Sequence, residues 1–122
     1  MTMAKFKRET LQKQYNLPDL SDVVICFADR RIYAHKIILS MASDYFKAAF
    51  TDRFQEAYSK ELKLYGDDQD ALEWMFRWIY DVDLISSSDT PWESFELYSD
   101  LWAVSSKYQL PGLMDHVVEV VE

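Results

Sequence analysis

The chain has 122 residues, of which 49% are apolar and 16% aromatic, with two glycines and three prolines. This length and balance predict one ordered domain with a sizeable core, and they exclude a linker or a disordered tail. The formal net charge of −8 argues against a nucleic-acid surface, since phosphate binding needs clustered lysines and arginines.

Two strands are predicted near the start of the domain. The apolar run from Asp22 to Phe27 fits a strand, and a polar turn at Asp29-Arg30 leads into a second strand, Arg31-Ile32-Tyr33. The single cysteine, Cys26, lies in the first strand and cannot form an internal disulfide, which favours a reducing compartment. We interpret it as a small core hydrophobe rather than a reactive thiol.

A third strand is predicted further along the chain. Polar Glu61 and Lys63 alternate there with apolar Leu62 and Leu64, as a strand with one wet and one buried face requires. With the helices that follow, the chain is expected to form an α+β domain.

Two helices are predicted to begin at capping sequences, Asp70 to Glu73 and Thr90 to Glu93, each with a glutamate three positions after the cap. The first helix has an apolar face of Leu72, Met75, Phe76 and Ile79. The second continues this spacing through Phe95, Tyr98, Leu101, Trp102, Ser105 and Tyr108. Pro111-Gly112 breaks the second helix, and a last helix follows from Leu113.

No set of residues for catalysis or metal binding is found. The two histidines, His35 and His116, belong to no metal-ligand motif, and His35 is expected to be a structural hydrogen-bonding residue. The run from Asp67 to Asp70 lacks the glycine and terminal glutamate of a calcium loop, and helix capping accounts for it better. We therefore expect no enzyme activity, no cofactor and no metal.

Five ordered motifs resemble those of the BTB/POZ domain family: Tyr33–Ser40 after a Ser-Asp-Val strand, Ser43–Phe50, Glu61–Asp68, Met75–Tyr80 and Ser106–Leu113. The resemblance implies an α+β BTB/POZ fold, in which a small mixed sheet is capped and flanked by a cluster of helices. It places this domain at residues 19–122, preceded by an N-terminal extension, residues 1–18, with partly helical spacing.

The resemblance also implies function, namely a protein–protein interaction module that homodimerises and recruits partners. In the family, residues matching Asp22 and Lys36 help to form a charged groove near the dimer axis; the alternative is a local surface ion pair. A segment before the first strand often packs across the dimer, and here it carries Phe6, Leu11 and Tyr15. Its alternatives are a helix folded onto its own chain or a frayed tail.

A second function implied by the resemblance is that of a substrate-adaptor subunit that recruits a cullin scaffold of ubiquitin ligases. Cullin-recruiting members have a hydrophobic-x-Glu step where this chain has Phe54-Gln55-Glu56, so Phe54 and Glu56 are candidate cullin contacts; alternatively, Phe54 packs into the core. The chain departs from the family at Tyr80-Asp81-Val82, where Tyr-Thr-Gly is usual. A third function is an oligomerisation domain of a transcription regulator.

The sequence also predicts the cellular compartment of the protein. It contains no apolar run near the roughly twenty residues of a membrane helix, and its basic N-terminus has no apolar segment behind it, so no membrane partner and no secretory signal are expected. With the single cysteine, this predicts an intracellular protein of the cytoplasm or nucleus.

Overall fold

Three strands form one mixed sheet in the computed structural model, which describes residues 9–51, 60–82 and 95–121. The central strand, β1 (Val23–Phe27), pairs antiparallel with β2 (Arg30–Ala34) and parallel with β3 (Glu61–Leu64). The turn between β1 and β2 lies at Ala28 and Asp29, one residue earlier than predicted, because Ala28 takes a left-handed backbone conformation with φ 54°.

Residues alternate between the two faces of the sheet. Val23, Ile25 and Phe27 of β1 are buried against the helices, as are Leu62 and Leu64 of β3, which confirms the predicted alternation in the third strand.

The interpretation of Cys26 as a core residue was wrong. Cys26 falls on the opposite face of β1 from its buried neighbours and is half-buried there, with its Sγ 3.7 Å from Glu61 Oε1. Burial is the main cause that raises the pKa of this thiol, so it stays largely protonated at neutral pH.

The described residues form five helices after β2, packed on the core side of the sheet through Phe76, whose ring stacks on Phe27 of β1, and a helical turn at residues 9–13 precedes β1. They are α1 (Lys36–Ala42), α2 (Asp44–Thr51), α3 (Gln69–Ile79), α4 (Phe95–Lys107) and α5 (Pro111–Val121). Contacts join α1 to α2, α3 to α4 and α4 to α5. The largest fully buried side chains at their centre include Leu39, Phe46, Met75, Phe76, Leu101 and Leu113.

The cap of α3 lies two residues before the predicted one. Asp68 is the N-cap, and its Oδ2 accepts a hydrogen bond from the Ala71 N–H at 3.0 Å. Asp70 lies inside the first turn, where its carboxylate accepts a hydrogen bond from Arg30 at 2.7 Å. The expectation that the acidic run caps a helix is thus confirmed, although Asp70 was the wrong residue.

The apolar face of α4 differs from the prediction at Trp102 and Val104, among the residues whose side chains the structure describes. Trp102 is 45% exposed, whereas Val104 is buried, because residues 101, 104, 105 and 108 lie on one side of the helix and residue 102 is rotated about 100° from Leu101. The predicted cap from Thr90 to Glu93 lies outside the described residues.

The last helix begins at the break itself. Pro111 is its first residue, a position that suits the fixed φ of proline. A Cβ on the next residue, Gly112, would lie 3.1 Å from Cη2 of Trp78, so glycine is what lets α5 approach α3 this closely.

Polar contacts fasten the end of α4 to the elements around it. Ser43 Oγ donates a hydrogen bond to the Tyr108 carbonyl at 2.6 Å and accepts one from the Phe46 N–H. The Tyr108 hydroxyl donates to Asp67 Oδ2 at 2.7 Å, and Lys107 Nζ contacts the same oxygen. Burial, and then the hydrogen bond to Asp67, raise the pKa of the Tyr108 phenol above its ordinary range.

We expect Asp68→Ala to lower the free energy of unfolding by about 1 kcal/mol, because the Ala71 N–H in the first turn of α3 loses its acceptor. Asp68→Asn keeps a side-chain oxygen and should stay close to wild type. Urea unfolding followed by circular dichroism measures both variants. Equal losses for Ala and Asn at this position would show that the cap is not what stabilises α3.

Candidate functional site

The junction between β2 and α1 is held by a buried histidine. His35 has an extended backbone, with φ −131° and ψ 116°, and its side chain makes no capping hydrogen bond to α1. Its ring turns inward, with Nδ1 2.9 Å from the Tyr80 hydroxyl and Nε2 3.2 Å from the Asp19 carbonyl. These contacts confirm the expectation that His35 is a structural hydrogen-bonding residue.

The partners of the His35 ring fix its tautomer. Nε2 faces a carbonyl oxygen and therefore carries the proton, which leaves Nδ1 to accept from the Tyr80 hydroxyl. The same hydroxyl oxygen accepts the His35 backbone N–H at 3.1 Å. Burial of Tyr80 raises the pKa of its phenol, so the hydroxyl stays protonated and able to donate.

Asp22 supplies the helix cap that His35 does not. Its Oδ1 accepts the Lys36 N–H, the first of α1, at 2.8 Å, and a carboxylate is well placed at the positive end of a helix. Lys36 Nζ lies 5.6 Å from the centroid of the Phe50 ring. The structure thus brings Asp22 and Lys36 together through a backbone contact. Their place in a dimer groove stays a prediction.

The outer side of α1 presents apolar side chains to solvent. Ile37 is 70% exposed and Met41 is 81% exposed, and residues four apart lie on one face of a helix. Leu20 is 92% exposed with a left-handed φ of 62°, and its neighbour Asp19 contacts His35 at the start of α1. We call Leu20, Ile37 and Met41 the α1 face.

The α1 face was missed by the sequence analysis, although a signal was present. Five of the seven residues of α1 are apolar, and a helix this short buries one side, here through Leu39. Some apolar residues of such a helix must therefore stay outside the core. The sequence alone does not say which, because the side that faces the core depends on how His35 and Asp22 set the helix.

The segment before β1 folds onto its own domain. Gln12 Nε2 donates to the Asp81 carbonyl at 2.6 Å, and Asn16 Oδ1 accepts the Tyr33 N–H at 2.9 Å. The Tyr15 ring meets the Tyr80 ring edge-on at 5.8 Å. These contacts favour the alternative of a segment folded onto its own chain. Of the other two apolar residues predicted for this segment, Leu11 packs against the core and Phe6 lies outside the described residues.

The candidate cullin contacts, Phe54 and Glu56, lie outside the described residues, between the end of α2 and the start of β3. In the described parts of the chain, no group of three or more histidine, cysteine or acidic side chains could hold a metal ion. No helix among the described residues has the length and apolar character that crossing a membrane requires.

We expect Tyr80→Phe to lower the free energy of unfolding by about 1–3 kcal/mol, because the N–H and Nδ1 of His35 lose their shared partner in a buried place. Tyr33→Phe removes a hydroxyl from a side chain that is 45% exposed and serves as the control, with little expected change. Urea unfolding measures both. Equal stability of Tyr80→Phe and wild type would rule out this role for the hydroxyl.

Comparison with known proteins gives the same fold. The model of the BTB/POZ domain family matches residues 11–122. The solved BTB domain of zebrafish PATZ1 superposes with a TM-score of 0.73, covering 99% of this chain and 95% of that one at 16% identity. At this low identity the superposition establishes the fold and nothing further.

Curated relatives are similar in sequence as well. Mouse Kelch-like protein 1 is 34% identical over 109 residues, which is 89% of this chain and 13% of that protein. Human Kelch-like protein 5 is 37% identical over 75 residues, 59% of this chain and 10% of the relative. The chain thus spans about a tenth of the length of these relatives. The ordered motifs, the mixed sheet with its helices and the family match agree, and the chain belongs to the BTB/POZ domain family of protein-interaction modules.

Proposed function

We propose that this domain homodimerises through the α1 face. The observation that supports the proposal is the exposure of Ile37 and Met41, at 70% and 81%, on one side of a helix that the core holds rigidly through Leu39. Burying one such side chain completely stabilises a complex by roughly 1.5–3 kcal/mol. A contact between this face and the same face of a second copy is isologous, so each apolar side chain of the face is buried in both copies.

The backbone of Leu20 supports the same proposal. A leucine with φ 62° is held in a conformation that L-residues seldom adopt, and its side chain is almost wholly in water. Both features are unfavourable in the isolated chain. Burial of this side chain against a second copy would offset the cost of its exposure.

We expect Met41→Asp to convert the dimer into a monomer, because a charge would be buried without a partner at the contact. Light scattering coupled to size-exclusion chromatography should show the mass fall from twice 14.5 kDa to 14.5 kDa, while the circular dichroism spectrum stays that of the folded domain. The thermal midpoint should fall and lose its dependence on protein concentration, because the dimer no longer stabilises the native state. Val118→Asp places the same charge at an exposed apolar residue of α5 and should leave the dimer intact.

Two results would contradict this function. The wild-type chain could run as a monomer at high micromolar concentration, or Met41→Asp could remain a dimer. A point variant is preferable to removal of the N-terminal segment, because Gln12, Tyr15 and Asn16 contact the domain itself, so that truncation would also destabilise the monomer.

A second proposed function is recruitment of a cullin scaffold. It is supported by the Phe54-Gln55-Glu56 step, which keeps the family spacing from Phe50, and by the similarity to proteins named Kelch-like. Phe50, from which this spacing is counted, is buried in the last turn of α2. An aromatic anchor in a partner's pocket would supply most of the affinity.

We expect Phe54→Ala to weaken binding to a cullin N-terminal region by roughly thirtyfold, which corresponds to about 2 kcal/mol for an interface anchor, while the thermal midpoint stays unchanged. Gln55→Ala, at the variable position of the same step, is the control. If Phe54 packs in the core, the truncation should cost about 3–5 kcal/mol of stability instead. Calorimetric titration and melting curves on the same samples separate the two cases, and no wild-type binding at tens of micromolar would exclude this function.

A further inference from the structure

The α1 face contains one side chain that a simple reaction converts from apolar to polar. Leu20 and Ile37 have hydrocarbon side chains, whereas Met41 carries a thioether sulfur on an unbranched chain. A peroxide transfers one oxygen atom to such a sulfur and yields methionine sulfoxide, which is polar. The side chain of Met41 is 81% exposed, so a small oxidant dissolved in water reaches it.

The reaction of Met41 with hydrogen peroxide needs no further reactant. A lone pair of the sulfur forms the new S–O bond as the O–O bond of the peroxide breaks. A proton passes from the transferred oxygen to the departing one, which leaves as water. The sulfur loses two electrons and the peroxide gains them. Methionine sulfoxide reductases restore the thioether, so the change is reversible.

Exposure distinguishes Met41 from the other methionines that the structure describes. Met75 of α3 is fully buried in the core, and Met114 of α5 is half-buried. Oxidation of either is slowed because the surrounding side chains limit access to the sulfur. We therefore expect Met41 to be oxidised first of these three. Met1 and Met3 lie outside the described residues.

The thiol of Cys26 is a weaker target for peroxide at neutral pH. Cys26 is half-buried, and burial raises the pKa of its thiol. The thiolate is the form that reacts with peroxide, so a thiol that stays protonated reacts slowly. Its first products are a sulfenic acid or a disulfide, which a thiol reductant reverses. Treatment with a thiol reductant therefore separates oxidation of Cys26 from oxidation of Met41.

A sulfoxide on Met41 is unfavourable in the dimer and harmless in the monomer. In an isologous contact the oxygen meets the α1 face of the second copy, where the side chains of Leu20 and Ile37 offer no hydrogen-bond donor. An oxygen buried there loses its hydrogen bonds to water without replacement. In the monomer the same oxygen stays in water, and the core, which α1 enters through Leu39, is untouched.

We propose that Met41 is an oxidation site that controls dimerisation: two α1 faces pair when it is a thioether and separate when peroxide has converted it to the sulfoxide. The proposal rests on the dimer proposed above. Because the dimer covers Met41, peroxide oxidises the dissociated copies, and oxidised copies do not pair again until a reductase restores the sulfur. Dimerisation in turn protects Met41 from the oxidant.

The test compares wild type with Met41→Leu, which has a side chain of similar volume and no sulfur. Both proteins are treated with hydrogen peroxide and then with a thiol reductant. Peptide mass spectrometry locates the added oxygen, and light scattering over a dilution series measures the dimer. In wild type, one oxygen should appear on Met41, and the dissociation constant of the dimer should rise by roughly tenfold or more. Met41→Leu should keep its dimer, although it retains Cys26 and every other methionine.

Three controls accompany this comparison. Met114→Leu keeps Met41 and should respond to peroxide as wild type does. Methionine sulfoxide reductases A and B, which act on the two epimers of the sulfoxide, should together restore the dimer of oxidised wild type. The circular dichroism spectrum should stay that of the folded domain, which separates loss of the contact from unfolding.

The outcomes separate oxidation control from the dimer itself. If untreated wild type is a monomer, the dimer is excluded and oxidation control with it. If wild type stays a dimer with the sulfoxide on Met41, the dimer stands and oxidation control is overturned. Loss of the Met41→Leu dimer under peroxide would assign the effect to another residue. Should Met41→Leu fail to dimerise before treatment, the reductase experiment on wild type decides by itself.

A last measurement uses wild type alone. As protein concentration rises, the rate of oxygen addition at Met41 should fall relative to the rate at Met114, because more copies are paired. Oxidation of Met41 that does not depend on concentration, in a protein that light scattering shows to be a dimer, would mean that the contact leaves Met41 open and would contradict the proposal.

Discussion

The hydrogen bonds between His35 and Tyr80 join the end of β2 to the end of α3, and the setting of α1 depends on them. The Tyr80 hydroxyl accepts the backbone N–H of His35 and donates to its ring, while the other ring nitrogen reaches the Asp19 carbonyl. One tyrosine thus fixes the residue at which the chain changes from strand to helix. Because these groups are buried, leaving any of them unpaired would be costly, and the junction has little freedom to rotate.

The exposed surface of α1 follows from this junction. With His35 turned inward, Asp22, just before β1, caps the helix, and Leu39 is the fully buried side chain of α1, with Ile38 and Ala42 packed beside it. Ile37 and Met41 then have no place in the core and remain on the outside. A rigid helix with apolar side chains on its outer side is a surface suited to binding another protein, and the proposed dimer uses it without rearrangement of the fold.

Among the described residues, the two edges of the sheet differ in what lies beside them. The N-terminal segment closes the β2 edge through Asn16, whereas β3 carries an exposed glutamate and an exposed lysine in alternation with its buried leucines. The central strand, β1, needs both neighbours for its own hydrogen bonds, so an edge on each side is unavoidable in a sheet of this size.

The sequence determined the fold class, the order of the elements and the alternation in β3, because period-2 and period-3.6 patterns and capping residues act over a few neighbours. It also placed His35 in a structural role. The tertiary structure decided the caps and the exposed faces that depend on contacts between residues far apart in the sequence. Asp68 rather than Asp70 caps α3, where Asp70 contacts Arg30 of β2. Cys26 lies on the solvent face because the helices cover the other side of β1. Tyr80 holds His35 in place and so determines which apolar residues of α1 face water. These two residues are 45 positions apart in the sequence, and no local pattern contains their contact.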